Sequence, residues 1–104
     1  MIETLQTQNQ ILQTIMMQKQ TLLMQESEIE KALGEIEKAE DDIYRTAGPI
    51  LVKTSKEDIK KELEENIEEI QIKLKTLEMQ EKKTKEMIKE TQEKFQKFAP
   101  SEDE

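Results

Sequence analysis

"DIYRTAGPILVKT", residues 42–54, decides how the rest of this chain is read. Helical spacing runs up to this stretch and resumes after it. Within it the residues alternate: Tyr44, Thr46, Leu51 and Lys53 fall on one side, Ile43, Ala47, Ile50 and Val52 on the other. A period of two around a Gly-Pro pair is the pattern of a β-hairpin. Gly48 can take the positive φ that opens a type II′ turn, and the ring of Pro49 holds φ at about -65°, so Ala47-Gly48-Pro49-Ile50 fits a tight two-residue connection. Thr54 or Ser55 can then cap a new helix, with Glu57 or Asp58 three residues on to complete a capping box.

A lone two-stranded hairpin is marginal in water, and this one carries two unpaired edges besides apolar side chains on both faces. Ile43, Tyr44, Ala47, Ile50, Leu51 and Val52 are therefore expected to form a subunit interface, in which another polypeptide continues the sheet.

Outward from the hairpin, steps of three and four give Met1, Leu5, Gln8, Leu12, Ile15, Lys19, Leu22, Glu26, Ile29, Leu33, Ile36, Glu40 and Ile43 in the first half. The second half gives Leu63, Ile67, Ile70, Leu74, Leu77, Glu81, Thr84, Ile88, Thr91, Phe95 and Phe98. Most are apolar, so each half is a heptad helix with one narrow seam to bury. Folding the chain back at residues 48–49 pairs positions whose numbers sum to about 100. Leu12 then faces Ile88, Leu33 faces Ile67 and Leu5 faces Phe95. The polar seam positions also find partners: Lys19 with Glu81, Glu40 with Lys60, Gln8 with Thr91. Glu26, opposite Leu74, is the misfit. A parallel dimer would instead set Lys19 against Lys19 and Glu81 against Glu81, so the internal antiparallel pairing is favoured.

The expected fold class is mainly α: a long antiparallel two-helix coiled coil whose helices are joined by a short β-hairpin. The expected layout is a single domain over residues 1–104, with helix 1–42, hairpin 43–54, helix 55–98 and an acidic tail 99–104. Arms of roughly 40 residues at about 1.5 Å each reach about 60 Å. Glu precedes Lys by four residues at Glu57/Lys61, Glu69/Lys73, Glu78/Lys82, Glu81/Lys85, Glu90/Lys94 and Glu93/Lys97, each pair worth about 0.2–0.5 kcal/mol on a solvated helix. Gly34 costs the first helix roughly 1 kcal/mol relative to Ala, with no reason visible in the sequence.

With 34% hydrophobic and 3% aromatic residues, 104 residues cannot fill a thick globular core, which favours an elongated molecule. The net charge of -8, with Glu interleaved among the Lys residues, argues against nucleic-acid binding. No apolar run approaches the roughly 18 residues of a membrane span, and "MIETLQTQNQ" lacks the basic start and apolar centre of a signal peptide. The expected location is cytoplasmic. Without His or Cys there is no zinc site and no His- or Cys-based catalysis. No Gly-rich phosphate loop occurs, and Glu40, Asp41 and Asp42 lack the spacing of a calcium loop. The chain reads as a non-enzyme with no cofactor and no metal.

Two heptad arms joined through "IYRTAGPILVKTSKED" and followed by "KLKTLEMQEKKTKEMIKETQEKF" resemble the β-class subunit of prefoldin, of archaeal type. The likeness covers nearly the whole chain, and the hairpin in that position is its most specific part. β-class subunits carry one such hairpin and α-class subunits two; this sequence has room for one. The resemblance implies a hexamer of two α-class and four β-class subunits, with the hairpins forming β-barrels from which six coiled coils hang. It also implies an ATP-independent holdase that binds unfolded client proteins at the coiled-coil tips and transfers them to a group II chaperonin. The short acidic tail "PSEDE" departs from the family's pattern.

Apolar residues outside the seam, among them Ile2, Ile11, Met16, Met17, Leu23 and Met24 on the first helix and Ile72, Met79 and Met87 on the second, remain to be explained. Flexible, polarisable Met side chains can adapt to many client sequences. Near the ends of the arms, Met1, Ile2, Leu5, Met87, Phe95 and Phe98 are the expected client-binding residues. The alternative is a structural coiled-coil adaptor that binds one folded partner.

Overall fold

The computed structural model describes residues 2–98. The chain runs α1 (Ile2–Lys38), β1 (Ile43–Ala47), β2 (Ile50–Thr54) and α2 (Lys56–Phe98). Two long helices joined by a short antiparallel hairpin is the expected fold class.

The chain divides into two compact units. Unit 1 takes Met1–Thr21 and Leu74–Glu104, of which residues 2–21 and 74–98 are described; unit 2 is Leu22–Lys73.

In unit 1 the heptad reading holds residue by residue. Gln8, Ile15, Leu74, Leu77, Thr84 and Ile88 are buried, and Leu5, Leu12, Lys19, Glu81, Thr91 and Phe95 are half-buried. Every described side chain of this unit that is not exposed occupies a seam position. Such a narrow stripe is what a seven-residue repeat produces, since only two positions in seven turn toward the partner helix. Ile15, at 6% exposure, is its most enclosed apolar residue. Polar residues off the seam bond back to their own helix: the Asn9 amide to the Leu5 carbonyl at 2.9 Å, and the Thr14 and Thr21 hydroxyls to Gln10 and Met17 carbonyls at 3.0 and 3.1 Å.

In unit 2, Ile70 is buried, and Leu22, Ile29, Leu33, Ile36, Leu63 and Ile67 are half-buried along the same repeat. Here the first helix is shorter than the repeat implies. α1 stops at Lys38 rather than residue 42, closing on a tightened Ala39 N–H to Ile36 carbonyl bond of 3.1 Å. Glu40, Asp41 and Asp42 would have placed three carboxylates at the negative end of the helix dipole. Instead a cation takes that place: Lys56 Nζ donates to the Glu37 carbonyl at 3.0 Å. α2 is capped as its sequence suggests, the Asp58 N–H donating to Ser55 Oγ at 3.0 Å.

The strands pair as Ile43 with Thr54, Tyr44 with Lys53, Arg45 with Val52, Thr46 with Leu51 and Ala47 with Ile50. Cross-strand partners share a face, so Tyr44, Thr46, Leu51 and Lys53 lie together on one side, as the alternation indicated. Gly48 has φ 63°, and no other described residue has a positive φ. A positive φ followed by proline selects the II′ turn, because type I′ would need a second positive φ where the pyrrolidine ring forbids it.

Candidate functional site

Two surfaces carry the residues that the repeat leaves unused: the hairpin in unit 2 and the flanks of the paired helices in unit 1.

The hairpin is fastened to the base of α2 rather than resting on it. Arg45 makes a bidentate pair with Glu62, 2.6 Å from Nη1 to Oε2 and 3.1 Å from Nη2 to Oε1. Two parallel bonds fix an orientation that a single contact would leave loose. Lys53 lies 3.3 Å from Asp42, and Lys60 reaches Glu37 at 2.6 Å. That last pair corrects the expected match of Lys60 with Glu40: once α1 ends at Lys38, Glu40 is no longer on a helical seam, and Glu37 is the carboxylate that Lys60 meets. The Lys60 hydrogen bond holds the Glu37 carboxyl below its ordinary range and raises the Lys60 ammonium in turn.

Of the expected interface residues, Tyr44, Ala47, Ile50, Leu51 and Val52 are exposed and Ile43 is half-buried. Leu51 leaves 68% of its surface to solvent. The sheet has two strands, so one edge of each makes no backbone ladder within the described residues. Arg45 and Glu62, 17 residues apart, had no sequence signal; only the fold brings them together.

In unit 1 the expected tip residues separate by environment. Ile2 and Met87 are exposed, whereas Leu5 and Phe95 are half-buried seam positions. Met1 lies outside the described residues, as does the side chain of Phe98, the last residue of α2. Ile11 and Met87 line an open groove of about 480 Å³ together with Ile15, Thr14, Thr84 and Lys83. Thr7, Gln10 and Gln80 complete the wall, whose surface is mostly apolar although six of its nine residues are polar.

Below that groove the seam is charged. Lys19 Nζ meets Glu81 Oε1 at 2.7 Å while Lys85 approaches Oε2 at 2.8 Å. These hydrogen bonds, the Lys19 one foremost, hold the Glu81 carboxyl down at about 2, and the Lys19 ammonium is raised by the same bond. Gln8 does less well. Its Oε1 is buried with no hydrogen-bond partner among the described residues, so the expected match with Thr91 does not satisfy it.

Among the described residues no group of His, Cys, Asp or Glu could hold a metal ion, and no helix is long and apolar enough to cross a membrane.

A family model described as prefoldin subunit matches residues 1–101. The crystal structure of the prefoldin beta subunit from Thermococcus strain KS-1 matches with a TM-score of 0.86 at 38% sequence identity, over 92% of this chain and 86% of that one. Among curated proteins none matches.

Proposed function

The chain belongs to the prefoldin subunit family, whose members are chaperone subunits that assemble with one another and not enzymes, and from that premise we propose that it is an ATP-independent holdase of the β class. In this reading the hairpins of two α-class and four β-class subunits build the hexamer. Ile43, Tyr44, Ala47, Ile50, Leu51 and Val52 supply this chain's part of the interface. The ends of the paired helices hold unfolded clients through Met1, Ile2, Leu5, Met87, Phe95 and Phe98, and pass them to a group II chaperonin in the cytoplasm.

The observation that carries the client-binding part is the division of labour in unit 1. Ile15, Leu74, Leu77 and Ile88 are the apolar residues buried in the seam, while Ile2, Ile11 and Met87 stay exposed beside it, two of them in one groove. Exposed aliphatic side chains at this density have no role in pairing the helices. Many weak apolar contacts without a shaped pocket favour breadth of clients over selectivity.

The test is suppression of aggregation of several unrelated denatured proteins, with and without ATP, by the chain assembled with an α-class partner. Suppression of all of them, independent of ATP, is the expected result. A variant trimmed to residues 12–88 should keep its assembled mass and lose the suppression; if it retains suppression, the tip assignment is wrong. Indifference to denatured proteins together with capture of one folded partner would establish an adaptor instead.

A further inference from the structure

The sequence contains six methionines, and the five whose side chains are described all stand outside the seam. Their exposures run from 44% at Met87 to 71% at Met79, with Met16, Met17 and Met24 between. Met17 lies two residues past Ile15 and two short of Lys19; Met24 stands likewise between Leu22 and Glu26, and Met79 between Leu77 and Glu81. That spacing places all three on the helix face opposite the seam. Met16 and Met87 flank it, next to Ile15 and Ile88. The apolar seam positions of the described residues are Ile, Leu, Phe95 and nothing containing sulfur. Every described thioether is thus open to a dissolved oxidant, and none is needed to pair the helices.

We propose that Met87, the client-binding methionine whose side chain is described, is the site through which peroxide weakens client holding, and that oxidation there and at Met16, Met17, Met24 and Met79 leaves the fold intact. The inference rests on the holdase reading above. A sulfur lone pair attacks one oxygen of a hydroperoxide, the O–O bond breaks, an S–O bond forms, and the other oxygen leaves as water after taking up the proton. Sulfur is oxidised by two electrons and the peroxide is reduced. The product sulfoxide is strongly polar, so a flexible apolar contact becomes one that must be desolvated before a client can cover it. In a globular core the same step would break packing. Here the seam is untouched, and reductases that act on methionine sulfoxide can restore the surface.

The experiment uses the full-length chain with its α-class partner, treated with hydrogen peroxide and followed by intact mass, helix melting by circular dichroism, and suppression of aggregation of a denatured client. One oxygen should be added at each of the five methionines, the melting curve should stay in place, and the chaperone concentration needed for half-suppression should rise severalfold. Methionine sulfoxide reductases should reverse the loss. A variant carrying M16L, M17L, M24L and M79L, with the partner unchanged in both samples, should hold clients before peroxide and lose holding after it as the natural chain does, because Met87 remains. Melting that collapses as oxygen is added overturns the proposal, and so does full oxidation without loss of holding. A leucine variant that keeps full holding after peroxide overturns it as well. If the untreated complex holds no client, the holdase reading itself has failed and takes this inference with it, an outcome distinct from the other three. Should the leucine variant not fold, reductase reversal on the natural sequence decides the matter.

Discussion

Lys19 and Glu81 are 62 residues apart in the chain and meet at 2.7 Å, both from positions that the heptad repeat assigns to the seam. Nothing in a hydrophobic seam needs a charge. A cation on one helix and an anion on the other nevertheless favour one alignment, because a shift by a turn would set Glu81 against Ile15 or Leu22 and Lys19 against Leu77 or Thr84. Lys85, one turn beyond Glu81 on the same helix, occupies the second carboxylate oxygen at 2.8 Å and leaves little reason for Glu81 to be protonated.

That contact has a pH signature. Glu81 is held at about 2, below the ordinary carboxylate value of 4.5, so protons bind it more readily in the unfolded chain than in the folded one. Its contribution is present in full above the unfolded value and is lost as pH falls through the folded one. The melting temperature of the natural chain should exceed that of Glu81→Gln at pH 7, and the gap should close between pH 4.5 and about 2. The comparison with Gln cancels the titration of the other carboxylates. A gap that is the same at pH 7 and at the acid end would mean the carboxylate charge is not what holds the register.

Gln8 gives the opposite expectation. Its Oε1 is buried at a seam position without a partner among the described residues, a loss that an aliphatic side chain of similar size would not suffer. Gln8→Leu should therefore raise stability by about 1 kcal/mol, toward the low end of the usual penalty because the site lies near a helix end. Urea unfolding of the two proteins measures it, and a less stable Leu variant would show that the amide is satisfied in solution.

The two glycines should respond with opposite signs. A Cβ at Gly34 meets nothing within 4 Å, and its backbone is helical, so Gly34→Ala should add about 1 kcal/mol. A Cβ at Gly48 also has room, but φ is +63° there, so Gly48→Ala should cost about 1–2 kcal/mol. Room is the same at both sites and conformation differs, which makes the pair of denaturation midpoints a test of the II′ turn itself.

Much of this was legible in the sequence because the governing patterns are local and periodic. Ile15, Leu74, Leu77 and Ile88 are buried where steps of three and four put them, and the strand faces follow from alternation alone. Even the Lys19–Glu81 contact follows once the chain is folded at Gly48-Pro49. What escaped was decided by helix ends and by tertiary placement. The stop at Lys38 depends on an electrostatic conflict between three carboxylates and the helix dipole, and it moved the partner of Lys60 from Glu40 to Glu37. Arg45 finds Glu62 only after the hairpin has turned toward α2, a geometry with no trace in spacing. The proposed client-binding residues were the least legible, since a repeat says which side chains it uses and not what the unused ones touch.

The hairpin register sharpens the test of assembly. Leu51 shares a face with Thr46, Tyr44 and Lys53, while Val52 lies on the other face with Arg45, Ala47 and Ile50. Both are open in the single chain, Leu51 at 68% and Val52 at 43%. A sheet continued by another subunit buries one face more deeply than the other, and a carboxylate on the buried face costs about 3 kcal/mol or more, roughly a hundredfold in dissociation constant. The double variant Leu51→Asp with Val52→Asp should thus lower the assembled mass in solution whichever face is covered. The single variants then separate the faces. The Val52 face already carries Arg45, pinned by Glu62, beside Ala47 and Ile50; the Leu51 face offers Leu51, the most exposed large apolar side chain of the hairpin, and Tyr44, its one aromatic ring. Leu51→Asp alone should therefore dissociate the complex more than Val52→Asp, as read by light scattering across a dilution series. Masses unchanged from that of the natural chain in both singles and in the double variant would remove the hairpin from the interface altogether.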